Sequence, residues 1–443
     1  MMTKEKGVLL PIFSLPSKYG IGDFGKEAYE FIDILSENHI DYWEVLPINS
    51  TNDLPYSPLS YYALEEDYIS IDKLKEDGLL VSVNRIKDSN FITHSNFKEK
   101  YYKQAYKNFT PTPEFIEFAK DKNIIQYAKF MEENYDQDKD YIIFLQYILD
   151  KQWSELKQYA NSKNVKIVGD MPIYPAFKSA EVKYNPKYYQ LSSGGYMEYV
   201  SGTPPDQYNN KGQKWNNPVY DFKRIEKDNF EYLINRFRSY LSRFDIIRVD
   251  HFKAFDEFYK IPIRESATSG VYEEGPKYAF FEKLLHYCSA SRLWIEDLGD
   301  IQKETRKLRD HYNFTGQNIT LHSIDIRHRI DNGASKANIV NYLTNHDTET
   351  IVGWYSDLGF FEKRALRRML ILEGCYKRKI NKAMIKHCMK SKAKIIVISV
   401  QDIIGLDNTS RINTPGISSE YNWAWKLTSF EQFRKNIKYF AKL

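Results

Sequence analysis

Eight short apolar segments, spaced along the whole chain, constrain the fold more than any other feature of the sequence. Segments of this length and composition are typical of buried parallel strands. They are 7–13, 42–48, 165–171, 244–250, 292–298, 318–324, 341–345 and 393–400. Helical patterns lie between them, for instance at 26–36, 230–243 and 360–372. Alternating strands and helices predict an α/β fold with a parallel sheet, and a count of eight favours a closed (β/α)₈ TIM barrel.

The spacing of these segments predicts where additional mass is inserted. A barrel of this kind needs only ~250 residues, whereas the chain has 443. The longest gaps follow strands 2 and 3, so insertions are expected at about 52–164 and 172–240. The first has helical periodicity at 113–131 and 141–159, and the second begins with loop-like Pro, Gly and Asn residues. We therefore predict one barrel domain spanning 1–443 that carries both insertions.

Acidic residues stand at the carboxyl ends of four predicted strands, which is the end where barrel active sites lie. They are Asp170, Asp250, Glu296 and Asp347. A single carboxylate at a strand end is more often a helix N-cap than a catalyst. Capping does not require four acids to converge on one mouth, so the set indicates a catalytic cluster.

Clustered carboxylates beside Arg and His suit glycosyl transfer, which passes through an oxocarbenium-like transition state. One carboxylate must be ionised, and a second must stay protonated to donate to the leaving oxygen. Arg248 precedes Asp250 by two residues, on the same side of the strand, where it would favour ionised Asp250. Glu296 is followed by Asp297, and this like charge with partial burial is expected to raise the pKa of Glu296.

Composition argues against several other classes of function. Lys and Arg number 63 against 59 acidic residues, so a net charge of +4 does not favour a nucleic-acid or membrane partner. The three cysteines lack metal-ligand spacing, and no calcium-type D-x-D-x-D-G loop occurs, so no metal is expected. The segment MMTKEKGVLLPIF has the features of neither a secretory signal nor a membrane span. A cytoplasmic, reducing location is therefore expected.

A lone G-x-G-x-x-G pattern is formed by Gly20, Gly22 and Gly25. This is the pattern of dinucleotide-binding loops. Its glycines do not directly follow the first apolar segment, and the next segment ends at 47–49 without an acid that could bind ribose. We therefore expect no nicotinamide or flavin cofactor, and we predict no cofactor of another kind.

Ordered motifs extend over almost the whole chain. They read LLPIFSLPSKYGIGDFG, YWEVLPI, LPYSPLSYYAL, GDMPIY, GTPPDQYNNKGQKWNNPVYDF, FDIIRVDHFKAFDEFY, IEDLG, TNHDTET and RINTPG. In this set and order the sequence resembles the 4-α-glucanotransferases (amylomaltase, or disproportionating enzyme), relatives of the α-amylase barrel enzymes. The resemblance implies transfer of a segment of an α-1,4-glucan or maltooligosaccharide donor to a sugar acceptor. No obligate protein partner is evident.

The resemblance also implies a retaining double displacement with three catalytic acids. Asp250 resembles the nucleophile that forms a glucosyl-enzyme intermediate, and Glu296 resembles the general acid/base. Asp347 resembles the third acid, which binds sugar hydroxyls and stabilises the transition state.

Further residues resemble substrate-binding positions of the family. Arg248 is expected to orient Asp250, His346 to hydrogen-bond the donor sugar, and Tyr56 to form an aromatic platform under that sugar. Asp170 is expected either to contribute to binding or to hold the loop after strand 3.

The segment 202–218 resembles a mobile loop over the cleft, with Tyr208 and Trp215 near the acceptor subsites. The sequence departs from the family pattern at Gln207 and Asn216 in this segment, in the sixth strand segment TGQNITLHSID, and at Thr348 and Glu349. These departures concern acceptor preference and product size, since the three catalytic acids are present.

Two alternatives remain open from the sequence. An α-glucan hydrolase would use the same barrel and the same acids, with water in place of the acceptor hydroxyl. A non-catalytic glucan-binding protein is also conceivable, although such a protein would ordinarily have lost one of the acids.

Overall fold

The computed structural model describes residues 4–52, 54–83, 91–205, 210–299, 301–326, 330–331, 338–417 and 419–443. The strands in this part of the chain are β1 (Glu5–Leu9), β2 (Tyr42–Glu44), β3 (Lys166–Met171), β4 (Tyr199–Thr203), β5 (Gln213–Pro218), β6 (Ile246–Val249), β7 (Glu257–Pro262), β8 (Val271–Glu274), β9 (Leu293–Ile295), β10 (Gly316–Ile319), β11 (Ile324–Asp325), β12 (Ile330–Asp331), β13 (Ile339–Tyr342) and β14 (Ile395–Ser399).

The α-helices of the same residues lie mostly between these strands. They are α1 (Lys26–Glu37), α2 (Ile71–Glu76), α3 (Phe91–Asn108), α4 (Pro113–Phe118), α5 (Lys122–Tyr135), α6 (Lys139–Ser162), α7 (Ala180–Tyr184), α8 (Phe222–Lys227), α9 (Glu231–Arg243), α10 (Lys277–Leu284), α11 (Lys303–Tyr312), α12 (Thr320–Ser323), α13 (Ile351–Asp357), α14 (Phe360–Leu372), α15 (Ile380–Cys388), α16 (Val400–Ile404) and α17 (Glu431–Ala441).

Eight parallel strands form the central sheet, in the order β10-β13-β14-β1-β2-β3-β6-β9. A parallel bridge between Trp294 and Thr315, which lie on or next to the two outer strands, brings the ends of the sheet together. The predicted TIM barrel is therefore confirmed. Its strands are largely buried because side chains fill the interior and helices cover the outside; β14, for example, is buried over its whole length.

The helices follow the predicted apolar periodicity, with differences at their ends. Helix α9 packs on the barrel through a stripe that includes Leu233, Phe237 and Tyr240. Gly169 on β3 permits close packing at the end of this helix, because a Cβ there would lie 2.3 Å from the ring of Phe244. The predicted helix 113–131 is instead two helices, since the Asp121 side chain caps a new helix at α5.

The strand predicted at 318–324 is wrong for residues 320–323, which form a helix. The strand is β10, and the chain then turns into α12. Thr320 donates a hydrogen bond to Asn341 Oδ1 on the adjacent strand β13, 3.1 Å away. Leu321 consequently lines the cleft described below rather than extending the sheet.

A second, antiparallel sheet has the order β5-β4-β7-β8. Its strands β4 and β5 correct the prediction of a loop over the whole of 202–218, because Gly202 and Thr203 on β4 pair with Lys214 and Gln213 on β5. The mobility of this segment stays a prediction. Gln207 and Tyr208 lie outside the described residues.

No helix in the described part of the chain is long and apolar enough to span a membrane. The three cysteines, Cys288, Cys375 and Cys388, form no disulfide with one another.

Candidate active site

A cleft of about 1340 Å³ opens at the carboxyl ends of the barrel strands. Six predicted site residues line it: Tyr56, Trp215, Arg248, Asp250, Glu296 and Asp347. Asp170 and His346 are buried behind this lining, with 0% and 3% of their surfaces exposed. The barrel thus brings together the acids that are far apart in sequence, because parallel strands end at the same rim.

Arg248 on β6 connects two of the acids. Its Nη1 lies 2.8 Å from Asp170 Oδ1 on the neighbouring strand β3, and 3.1 Å from Asp250 Oδ1. Arg248 and Asp170 are cross-strand partners in the β3–β6 register, which explains their contact. The predicted placement of Arg248 beside Asp250 is observed, and Asp170 is the residue that anchors the guanidinium.

Burial and charge act on Asp250 in opposite directions. Burial raises the pKa of Asp250 to about 6, and the nearby carboxylates of Asp170 and Asp347 act in the same direction. Arg248 lowers this pKa, as the sequence predicted, but does not outweigh the loss of solvation. The carboxylate is therefore ionised above mildly acidic pH.

Glu296 follows β9 and faces the same cleft. Its Oε2 accepts a hydrogen bond from the backbone N–H of His251 at 2.9 Å, and its Oε1 accepts one from Leu298 at 3.2 Å. Burial raises the pKa of Glu296 to about 7, and the charges of Asp250 and Asp297 add to this effect while Arg248 opposes it. Glu296 therefore holds its proton to a higher pH than Asp250 does.

Asp297 has a structural environment that separates it from its neighbour Glu296. Its Oδ2 lies 2.5 Å from Arg309 Nη1, and its Oδ1 accepts the backbone N–H of Gln317 at 2.7 Å. These contacts tie the end of β9 to β10 and leave Glu296 as the acid at the cleft.

Asp347 follows β13 and is held from two sides. Asn413 Nδ2 donates to its Oδ1 at 2.6 Å, and His346 Nε2 lies 3.4 Å from its Oδ2. Burial alone would raise the pKa of Asp347, but His346 and Asn413 together lower it to about 2. This carboxylate is therefore ionised at neutral and mildly acidic pH.

Tyr56 forms an aromatic wall beside these acids. Its hydroxyl donates to Asp170 Oδ2 at 2.5 Å and lies 2.8 Å from His346 Nε2. Its ring stacks on His346 with a centroid distance of 5.3 Å and lies 5.8 Å from the ring of Trp423. Tyr56 and Trp423 both line the cleft, where flat rings can pack against the apolar face of a sugar.

Trp215 lies on β5 at the rim of the cleft. Its ring meets His251 edge-on at 4.8 Å, and its Nε1 donates to Gln213 Oε1 at 3.0 Å. The ring is half-buried, so it contacts the protein on one side and leaves surface facing the cleft.

Several residues at the site were not singled out from the sequence. Asn413 bonds Asp347, and Arg411 Nη2 donates to the backbone oxygen of Asp347 at 2.7 Å. Trp423 and Gln317 also belong to the site or its support. Arg411 and Asn413 belong to the motif RINTPG, which contributed to the family resemblance. The contact of these two residues with Asp347 is visible only in the fold.

One group among the described residues has metal-ligand chemistry. Glu373, Cys375 and His387 place their donor atoms within 4.8 Å of one another, away from the residues that line the cleft. His387 Nδ1 and Glu373 Oε2 are 2.6 Å apart and hydrogen-bond each other. The imidazole of His387 and the carboxyl group of Glu373 are thus hydrogen-bond partners of each other.

The chain is similar to known proteins over most of its length. A family model described as 4-alpha-glucanotransferase matches residues 10–139 and 129–432. The 4-alpha-glucanotransferase of Aquifex aeolicus is 32% identical over 99% of this chain and 98% of its own length. The 4-alpha-glucanotransferase of Clostridium butyricum is also 32% identical, over 94% of each chain.

Solved structures give the same result at the level of the fold. An amylomaltase from Streptococcus agalactiae in complex with acarbose superposes with a TM-score of 0.91 at 25% identity, over 99% of this chain and 98% of that one. An amylomaltase from Corynebacterium glutamicum superposes with a TM-score of 0.79 at 16% identity, over 99% of this chain and 74% of that one. The chain therefore belongs to the 4-alpha-glucanotransferase family of enzymes, within the α-amylase clan.

Proposed function

We propose that this enzyme transfers a segment of an α-1,4-glucan to a sugar acceptor by a retaining double displacement on Asp250. The observation that carries the proposal is the pair formed by Asp250 and Glu296 at one cleft. Arg248 bonds Asp250 directly and favours its ionised form, whereas the neighbouring charges of Asp250 and Asp297 favour the protonated form of Glu296. Retaining glycosyl transfer requires this division of roles.

In the first step, Glu296 donates its proton to the glycosidic oxygen while Asp250 attacks the anomeric carbon. The bond to the leaving glucan breaks and an ester between the donor glycosyl group and Asp250 forms. In the second step, the Glu296 carboxylate removes the proton from an acceptor hydroxyl, whose oxygen attacks the anomeric carbon. Asp250 then leaves as a carboxylate and Glu296 is protonated again, so the catalyst is restored.

The remaining residues are assigned supporting roles in this proposal. Asp347, ionised with a pKa of about 2, would bind sugar hydroxyls and stabilise positive charge in the transition state. Arg248, held by Asp170, would orient Asp250 through its Nη1. Tyr56 would support the donor sugar.

His346 has a position that favours an indirect role. It is 3% exposed, and its Nε2 already contacts Tyr56 and Asp347. We infer that it holds these two residues against the sugar, in addition to any hydrogen bond that it makes to the donor.

The acceptor is proposed to lie near Trp215 and the segment that contains Tyr208. The substrate class is supported by the acarbose complex of the Streptococcus agalactiae amylomaltase. We also propose that 1–443 act as one catalytic unit, with 52–164 and 172–240 as insertions in the barrel, and that no cofactor takes part.

Incubation of the purified protein with maltotriose, without added cofactor, tests this function. Transfer predicts glucose and longer maltodextrins by chromatography with little net gain in reducing ends, since transfer conserves the number of glycosidic bonds. The matched control is Asp250→Asn, which should form neither product. A gain in reducing ends equal to the glucose released would show hydrolysis, and no reaction in the wild type would refute the proposal.

A further inference from the structure

The barrel interior contains a carboxyl group that the proposed reaction does not use. Glu44 on β2 is 1% exposed and pairs with Leu9 and Val168 on the adjacent strands. Its Oε1 accepts a hydrogen bond from the hydroxyl of Tyr342 at 3.1 Å. Tyr342 lies on β13, which is separated from β2 in the sheet by β14 and β1, so this hydrogen bond crosses the inside of the barrel.

The hydrogen bonds continue from Tyr342 to the cleft. Gln317 Nε2 donates to the Tyr342 hydroxyl at 3.2 Å, and Gln317 Oε1 accepts from Arg248 Nε at 3.4 Å. Arg248 Nη1 in turn donates to Asp250. Glu44 is therefore connected to the proposed nucleophile through three intermediate side chains.

This chain of hydrogen bonds has a fixed direction. The Tyr342 hydroxyl has one proton, and because that proton goes to Glu44, its oxygen is free to accept from the Gln317 amide. The amide oxygen of Gln317 then faces Arg248 Nε. The guanidinium is consequently held at two points, Nε by Gln317 and Nη1 by Asp170, which together determine the orientation of its plane.

The burial of Glu44 favours its neutral form. Burial raises the pKa of Glu44 to about 7 and Asp170 acts in the same direction, whereas Arg248, Tyr342 and His346 lower it. Within the described residues, its Oε2 has no hydrogen-bond partner that would stabilise a negative charge. A neutral acid accepts the hydrogen bond from the Tyr342 hydroxyl without competing with Asp170 and Asp250 for the charge of Arg248.

We propose that Glu44 is a positioning residue for the reaction, acting through Tyr342 and Gln317 to hold Arg248 against Asp250. The inference rests on the proposed function, since it assigns Asp250 as the nucleophile. It also makes Gln an adequate replacement for Glu44, because an amide oxygen accepts the same hydrogen bond and cannot ionise.

The test compares kcat, KM and the pH profile of kcat/KM on maltotriose for Glu44→Leu and Glu44→Gln. Glu44→Leu should lower kcat roughly tenfold with KM within about twofold, since an interaction that serves the transition state is weakened. It should also raise the pH of the acid limb by about half a unit, because a displaced Arg248 lowers the pKa of Asp250 less. Glu44→Gln should keep kcat within about twofold of the wild-type value and leave the acid limb of the pH profile at the wild-type position.

Glu181→Leu is the matched control. Glu181 is 3% exposed and also has an Oε2 without a partner among the described residues, but it bonds Ser60 and Tyr61 rather than the Arg248 chain. Its replacement should lower the melting temperature and leave the acid limb unmoved.

The outcomes separate the possible explanations. An unmoved acid limb in Glu44→Leu, or equal losses in the Leu and Gln variants, would overturn the positioning role. If Glu44→Leu does not fold, Tyr342→Phe removes only the bridging hydroxyl and should raise the acid limb in the same way. A wild-type protein without activity on maltotriose would overturn the proposed function itself, and the inference with it.

Discussion

The backbone N–H of His251 donates a hydrogen bond to Oε2 of Glu296 at a distance of 2.9 Å. His251 directly follows Asp250, so the peptide next to one proposed catalytic acid holds the carboxyl group of the other. His251 also has a left-handed backbone, with φ of 47°, so the chain leaves the course of β6 directly after this N–H. The relative position of the two acids is therefore set by the main chain at the end of one strand.

The pH dependence of kcat/KM is the first prediction. Activity should rise as Asp250 loses its proton near pH 6 and fall as Glu296 loses its proton near pH 7. The result is a narrow bell whose two limbs belong to the pair of coupled acids. Initial rates on maltotriose between pH 4.5 and 9 check this. A profile that stays flat across this range would contradict the assignment.

The second prediction concerns stability. Since the pKa of Glu296 is raised from 4.5 to about 7 on folding, the folded state binds the proton more tightly than the unfolded state between these values. Stability contributed by this proton is present at low pH and is lost as the pH rises through about 7. Glu296→Gln cannot ionise, so its melting temperature should exceed that of the wild type at pH 8 by on the order of 2 °C.

At pH 4, where Glu296 is protonated in the wild type, the same variant should show no such gain. Glu282→Gln, at an exposed position, is the control and should match the wild type at both pH values. A Glu296→Gln variant with the same melting-temperature difference at pH 4 and pH 8 would argue against the raised pKa.

The third prediction concerns Trp215 at the cleft rim. Trp215→Ala should lower the ratio of transfer to hydrolysis by roughly tenfold, because an acceptor glucan uses the flat ring and water does not. Trp215→Phe keeps a flat ring and should recover most of the ratio. Both activities are measured on maltotriose from glucose release and reducing ends. Equal losses of both activities, with a lower melting temperature, would indicate that Trp215 only packs against His251 and Gln213.

The barrel was predictable because its signal is local and repeated. Each strand is a short apolar run followed by a helical pattern, and β3, β6 and β14 formed within the predicted segments. The second sheet was missed because β4 (YVSGT) and β5 (QKWNNP) carry few apolar residues, and their pairing depends on tertiary contacts rather than on an apolar pattern.

The sequence predicted a site residue wherever its position at the end of a barrel strand determines that it lies at the mouth of the barrel. Asp250, Glu296 and Asp347 follow strand ends, so the barrel rule alone placed them at one mouth. Asn413 and Trp423 lie on a long loop after α16, whose path over the cleft follows from tertiary packing. The net rise in the pKa of Asp250 also needed the structure, because the neighbouring Arg248 was visible in the sequence and the extent of burial was not.

Trapping the covalent intermediate tests the central claim most directly. Glu296→Gln retains the nucleophile and loses only protonation of the leaving group, so a maltosyl donor with a fluoride leaving group should still glycosylate it. Proteolysis and mass spectrometry should then find one maltosyl group on the peptide that contains Asp250, and Asp250→Asn should carry none. A label on another acid, or no label in Glu296→Gln while the wild type remains active on maltotriose, would contradict the account.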